Sequence, residues 1–331
     1  MKSVNPKQEP GRRPADKPGR KTGWFARSWL GRHPRLALIA LATAGIAAAW
    51  GGWRHFSRPL IKIEGIRNVV LISIDTCRAD RLSCYGYKRQ TTPNIDALAS
   101  NGVLFTSAST PVPFTLPAHS SMMTGTYPPT HGVRLNNGDH LADSNITLAE
   151  IMRDAGYQTA AFIGAFPLDR IFGLNQGFDT YDCQFRAKRQ MALYSERNAE
   201  ELTGPAMDWL GKNGKKPFLL FLHYYDAHFP YEPPPPFNTT YAGDLYAGEI
   251  AYVDRCIGHV VDQLHAMGIY DNTLIIITGD HGESLGEHGE QTHGFFMYQG
   301  TLRVPLVIRA PVGSRNCQVN DNVSLVDIVP T

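Results

Sequence analysis

From Asn68 onward, unbroken apolar runs of six to eight residues alternate with longer stretches of helical spacing. The runs NVVLISI (68–74), TAAFIG (159–164), PFLLFLHY (217–224), TLIIITG (273–279) and VPLVIRA (304–310) predict strands. Continuous rather than alternating apolarity is the mark of strands buried on both faces, as in a parallel sheet covered by helices. Helical patterns fall at 93–102, 147–156, 195–213 and 244–267. The first opens with Pro93 and stops at Gly102; the second begins with Thr147 and carries Glu150 three residues on, a capping box, before Gly156. No internal repeat is present, and the four prolines at 233–236 read as an ordered loop. The fold class these patterns predict is α/β, a doubly wound, mostly parallel sheet with helices on both faces.

In open parallel sheets, ligands sit at the carboxyl ends of the strands. Here those ends supply Asp75 after the first strand, Tyr225-Asp226-Ala227-His228 after the third and Asp280-His281 after the fourth. A single Asp after a strand is ordinarily a helix cap, whereas three such ends converging on one edge point to a metal site. The stretch PVPFTLPAHSSMMTGTYPPTHGV (111–133) adds Thr115 at a helix entrance, with Pro117 and His119 behind it and a stop at Thr124-Gly125. Taken alone, Thr115 is the N-cap of an ordinary helix. Taken with Asp75, Asp280 and His281, it completes two carboxylates, an imidazole and a hydroxyl, a set suited to Ca²⁺, Mn²⁺ or Zn²⁺. A cation there would turn a weak hydroxyl into a nucleophile. His119, on the first turn, is expected to face a tetrahedral anion held at the helix N-terminus. Asp226, His228 and His293 form a second group. They either bind the anion's oxygens and protonate the leaving group, or hold a second metal about 4 Å from the first. His288 is assigned to loop structure.

Charge and cysteine content refine this picture. The 331 residues carry a net charge of +2, but ten of the basic side chains lie in residues 1–35, facing only Glu9 and Asp16. The remainder holds 22 basic and 28 acidic side chains, about −6, so no nucleic-acid footprint is indicated. Directly after the basic tail, Leu36–Trp53 is free of charge and just long enough to span a bilayer. The expected organisation is a basic cytoplasmic tail (1–35), a single-pass transmembrane anchor (36–53) with a cleaved signal peptide as the alternative, a linker (54–67) and an exported catalytic domain (68–331). Five irregularly spaced cysteines exclude a disulfide scaffold or a zinc ribbon.

The segments SIDTCRADRLSCYGY, TTPNIDALASNGVLFTSA, TLPAHSSMMTGTYPPTHGV, HYYDAHFPYEPP, GEIAYVDRCIGHVVDQL, TGDHGESLGEHGEQTHG and LRVPLVIRAP, in this order, resemble the sulfatase-like branch of the alkaline phosphatase superfamily. The resemblance runs from Asn68 to the C-terminus. It implies a hydrolase with Asp75, Asp280 and His281 on the metal-ligand positions and Thr115 on the nucleophile position. It also implies His228 and His293 at positions that hold the substrate anion in related phosphonate and phosphodiester hydrolases. The family's Cys-x-Pro-x-Arg signal for formylglycine is replaced by Thr115, Pro117 and His119, so the hydrated-aldehyde route is closed. Cys77-Arg78-Ala79-Asp80-Arg81 matches a permissive form of that signal, but it lies two residues after Asp75 and reads as coincidence. SLVDIVPT at the end of the chain resembles the family phrase that begins a helix followed by a smaller C-terminal subdomain, so the expectation is that this subdomain is absent or that the chain is a fragment. The expected activity is metal-dependent cleavage of a sulfate, phosphate or phosphonate ester, on a small-molecule, glycan or lipid substrate, through a covalent Thr115 intermediate. A phosphoethanolamine or phosphoglycerol transferase and an inactive anion-binding scaffold are the alternatives.

Overall fold

The chain divides into two units between Ile61 and Lys62. The computed structural model describes residues 65–185, 196–311 and 316–331, all in the second unit, so the basic tail and the apolar run 36–53 lie outside the described residues. Among the described residues no helix is long and apolar enough to cross a membrane.

The described strands are β1 (Asn68–Ile74), β2 (Val103–Ser109), β3 (Gln158–Ile163), β4 (Thr180–Asp182), β5 (Phe218–Tyr224), β6 (Thr273–Gly279), β7 (Arg303–Arg309), β8 (Cys317–Val319) and β9 (Val323–Ser324). They form one sheet in the order β4-β3-β5-β1-β6-β7-β2-β8, with β9 on β2. β4, β3, β5, β1 and β6 run parallel. The five expected strands all form within a residue of their expected ends. The last of them, β7, runs antiparallel to both β6 and β2. β2 was not legible in advance, because its sequence VLFTSAS carries three hydroxyl residues and buries only Leu104 and Ala108.

The helices that position the site are α1 (Pro93–Ser100), α2 (Thr115–Thr124), α3 (Leu148–Asp154), α4 (Ala199–Asn213) and α5 (Leu245–Ala266). The capping box of Thr147 and Glu150 opens α3 as expected. α4 starts at Ala199 rather than Ser195, because Asn198 caps it and Glu201 closes a second capping box.

The two-residue period of the central strands sorts side chains to opposite layers. Val70, Ile72 and Ile74 pack with Ile95, Leu202 and Ile250 from α1, α4 and α5. Leu71, Phe221 and Ile276 pack on the other face with Leu116 and Met122 of α2. By the same parity Ser73 and Asp75 on β1, and His223 on β5, belong to the α2 face. The strand order β5-β1-β6 then sets the loops after these three strands side by side. α2 is buried along its whole length from Thr115 to Met123 and ends at Gly125 in the left-handed region (φ 64°). A helix enclosed on every side cannot fray, so its first residue is fixed in position.

One buried carboxylate ties the helical layer together. Asp254 of α5 accepts hydrogen bonds from the Ile95 N–H (2.8 Å), the Asn94 N–H (3.0 Å) and the Asn94 side chain (2.9 Å). It therefore caps α1, whose own N-cap residue Thr92 makes no side-chain cap bond. Replacing Asp254 by Ala strands these donors in the interior. The expected loss of stability in a urea titration is about 2–4 kcal/mol, with Asp254→Asn losing less.

Candidate active site

Phe114 occupies the N-cap position of α2 with extended backbone, and Thr115 is the first helical residue. The Thr115 hydroxyl caps nothing. It points to Asp75, with Oγ1 3.5 Å from Oδ2. The Leu116 N–H at this helix start is taken by Asn136 Oδ1 (2.8 Å), which fixes the Asn136 amide with its NH₂ group turned away from the helix. Both Asn136 and Thr115 line a cavity of about 460 Å³.

Around Thr115 the register delivers Asp75, Asp280 and His281, all fully buried. Asp280 Oδ1 accepts the N–H groups of His281 (2.7 Å) and Thr76 (3.2 Å). Asp75 Oδ2 accepts from His223 Nε2 (3.2 Å). His281 Nδ1 donates to the Gly282 carbonyl (3.0 Å), which leaves Nε2 as a bare lone pair. That lone pair faces Asp280 Oδ2 at 3.5 Å and Asp75 Oδ1 at 3.8 Å. These three atoms are buried and have no hydrogen-bond partner. They lie within 4.8 Å of one another, the spread that ligands take around a single divalent cation. Three converging acceptors with no donor between them repel one another, and a cation removes the conflict, so the donor set fits a divalent metal. Without one, burial and the neighbouring Asp75 carboxylate hold Asp280 well above the usual carboxylate range, and burial keeps the His281 imidazole neutral.

His119, His223 and Asp280 also approach within that spread, but the two rings are already committed. His119 Nδ1 donates to the Thr115 carbonyl (2.7 Å), and its Nε2 accepts from the Ser73 hydroxyl (2.9 Å). His119 therefore does not face an anion in the cavity. Because α2 starts at Thr115, His119 lies a full turn on, and its ring packs behind the nucleophile position against His223 (ring centroids 4.8 Å apart). Burial depresses both rings to a pKa of about 3, so they serve as neutral hydrogen-bonding groups. His223 was not anticipated. Its signal is the one imidazole inside the apolar run of β5, directly paired with Ser73.

His228 and His293 line the same cavity as Thr115, with ring centroids 5.2 Å apart. Their environments push them in opposite directions. Burial lowers His228, and its Nδ1 donates to the Phe229 carbonyl (2.7 Å). Burial opposes charge on His293 too, but the Glu283 carboxylate, 3.1 Å from Nδ1, outweighs it and raises the pKa. Glu283 is fully buried and also accepts from the Tyr231 hydroxyl (3.2 Å). His288 stacks on Tyr298 (3.8 Å) outside the cavity.

Asp226 does not join this group. It lines a neighbouring cavity of about 350 Å³ with His228, Glu249 and Arg197, and is not among the residues that line the cavity of Thr115 and His293. The reason is local: Ala227 adopts a left-handed backbone (φ 87°), turning the chain between Asp226 and His228. Glu249 holds that turn by accepting from the Ala227 N–H (2.6 Å) and the Glu232 N–H (2.7 Å). Cys77 is fully buried, with its thiol pushed up by that burial, and Arg78 pairs with Asp80 (2.8 Å) and Glu287 (3.1 Å). This segment is structural.

Burial raises Asp226 to about 7 and Glu249 to about 8. A carboxyl whose folded pKa lies above its unfolded value contributes stability that is complete below about pH 4 and is lost as pH rises through the folded pKa. Above about pH 6.5, where the buried neutral histidines no longer titrate in the unfolded chain, thermal unfolding of the metal-free chain is therefore expected to show stability falling towards pH 8. Asp226→Asn should lessen that fall, leaving the part that belongs to Glu249 and the other buried carboxyls held above their usual range. A fall of unchanged size in the variant would contradict the assignment.

The chain is 28% identical to an uncharacterised sulfatase, YidJ, of Escherichia coli, over 80% of this chain and 66% of that protein. It is also 28% identical to an ulvan-active sulfatase of Formosa agariphila, over 80% of this chain and 60% of that protein. The chain thus spans somewhat less than two thirds of the length of these relatives. The fold superposes on a phosphonate monoester hydrolase of Agrobacterium radiobacter with a TM-score of 0.68 at 25% identity, covering 80% of this chain and 72% of that one. Residues 67–331 match the Sulfatase family model, and the chain belongs to the sulfatase family.

Proposed function

We propose that this chain is a metal-dependent hydrolase of sulfate, phosphate or phosphonate esters in which Thr115 is the nucleophile. The observation that carries this reading is the convergence of Asp75 Oδ1, Asp280 Oδ2 and His281 Nε2, buried and unpartnered, beside the Thr115 hydroxyl. Family membership and the likeness to a phosphonate monoester hydrolase support it.

Asp75, Asp280 and His281 would hold a divalent cation, which supplies charge stabilisation of the anion and lowers the pKa of the Thr115 hydroxyl. The chain's own residues account for the remaining chemistry. His119, through the Thr115 carbonyl and Ser73, fixes the turn that aims Oγ1. Thr115, its proton lost to solvent, attacks sulfur or phosphorus in line, and the bond to the alcohol oxygen breaks. His293, the imidazole with the raised pKa, gives its proton to the departing alcohol. His228, the imidazole with the lowered pKa, accepts a proton from the water that then cleaves the threonine ester. The sulfate, phosphate or phosphonate anion leaves, Thr115 recovers its hydroxyl by taking the proton from His228, and His293 is reprotonated from solvent. Asn136 donates its NH₂ to an anion oxygen. The apolar run 36–53 would hold the domain on the outer side of a membrane.

The test is nitrophenol release from the aryl sulfate, the aryl phosphonate and the bis-aryl phosphodiester with Mn²⁺, Zn²⁺ or Ca²⁺ supplied in turn. Release from at least one ester is expected to need metal, to fall by 10³-fold or more (roughly 4 kcal/mol) in Thr115→Ala, and to survive in part in Thr115→Ser. Equal turnover by Thr115→Ala would contradict a threonine nucleophile.

A further inference from the structure

One part of the cavity wall is apolar. Phe166, Pro167, Phe229 and Pro230 line the cavity beside the polar Asn137, Glu196 and Thr292. Phe229 is 56% exposed although it belongs to this wall. Just past His293 the chain reads Phe295-Phe296-Met297-Tyr298, exposed at 86, 48, 68 and 42% respectively. This segment is held in place. Gly294 lies so close to Phe114 that an added Cβ would come within 3.0 Å of the ring, which puts the run beside the residue that precedes Thr115. The Phe295 N–H is bound by Glu290 (2.7 Å), and the Phe296 carbonyl accepts from Thr301 (3.1 Å). Apart from His293, no charged or titratable side chain falls between Glu290 and Tyr298.

Four consecutive large apolar side chains in water are costly, and contiguous exposed patches of this kind mark binding surfaces. This one follows directly on His293, which lines the cavity with Thr115. The exposed side chains Phe229, Phe295, Phe296 and Met297 offer a sugar no hydrogen bonds. We propose that the rim formed by Phe229 and Phe295–Tyr298 binds the apolar part of the substrate's alcohol, so that the site selects esters of amphiphilic alcohols over esters of free sugars. This rests on the hydrolase reading and narrows its substrate class.

The test uses binding rather than turnover. Calorimetric titration of the Mn²⁺-loaded chain with butyl, hexyl and octyl sulfate, each below its micellar concentration, is compared with glucose 6-sulfate. Affinity is expected to rise about two- to fourfold per added methylene, with octyl sulfate binding at least tenfold more tightly than the sugar sulfate. The chain-length slope is expected to disappear in Phe229→Ser/Phe295→Ser, a change confined to exposed side chains. A flat series, a slope that survives in the double variant, or a sugar sulfate binding as well as octyl sulfate would overturn the proposal. Nitrophenol release run in parallel separates the two readings: a slope without metal- and Thr115-dependent release leaves the rim standing and removes the hydrolase, and the reverse result does the opposite.

Discussion

Three buried acceptor atoms with no donor between them set the terms for this molecule. Asp75 Oδ1, Asp280 Oδ2 and His281 Nε2 are brought together by the strand order β5-β1-β6. Burying charge without a partner is among the most costly things a fold can do. The surroundings satisfy the other atoms of the same groups: the Thr76 and His281 N–H groups donate to Asp280 Oδ1, His223 donates to Asp75 Oδ2, and the Gly282 carbonyl accepts from His281 Nδ1. Each of these bonds orients its group so that the remaining lone pair points inward. The arrangement is organised around a position for positive charge, and Thr115 is the hydroxyl beside it.

Much of this was legible in the sequence because the chemistry sits where sheet topology puts it. Unbroken apolar runs marked the central strands, and reading the residue after each run gave Asp75, Asp280 and His281, which the fold brings to one place. What could not be read were contacts that depend on side-chain direction. His119 lies a full turn beyond Thr115 in α2, and its ring is turned to Ser73 and the Thr115 carbonyl, so it supports Thr115 from behind instead of facing an anion. Asp226 and His228 are two residues apart, yet with the left-handed Ala227 between them only His228 reaches the cavity of Thr115, while both line its neighbour. His223 was hidden because a histidine in an apolar strand looks like a packed core residue until its register with Ser73 is known. β2 escaped because three hydroxyl residues interrupt its apolar run, and the antiparallel direction of β7 escaped because direction leaves no trace in a short apolar run.

The proposed mechanism gives the two cavity histidines different roles. The difference it draws on is the Glu283 carboxylate beside His293 and the Phe229 carbonyl beside His228. Glu283 in turn is bound by Tyr231, and Glu249 holds the turn that carries His228. The acidic residues of this region therefore act largely through position. The same loops that place the histidines also expose Phe229 and the run from Phe295 to Tyr298, so catalytic geometry and substrate preference are built on shared backbone.

The most direct measurement is metal content by mass spectrometry after equilibrium dialysis against Mn²⁺, Zn²⁺ and Ca²⁺, for the wild-type chain and for Asp280→Asn. The account predicts about one tightly held divalent ion per wild-type chain for at least one of these metals. It also predicts loss of that ion in the variant by at least tenfold in affinity. A wild-type chain that emerges free of metal under all three conditions, or a variant that retains the ion as well as the wild type does, would contradict it.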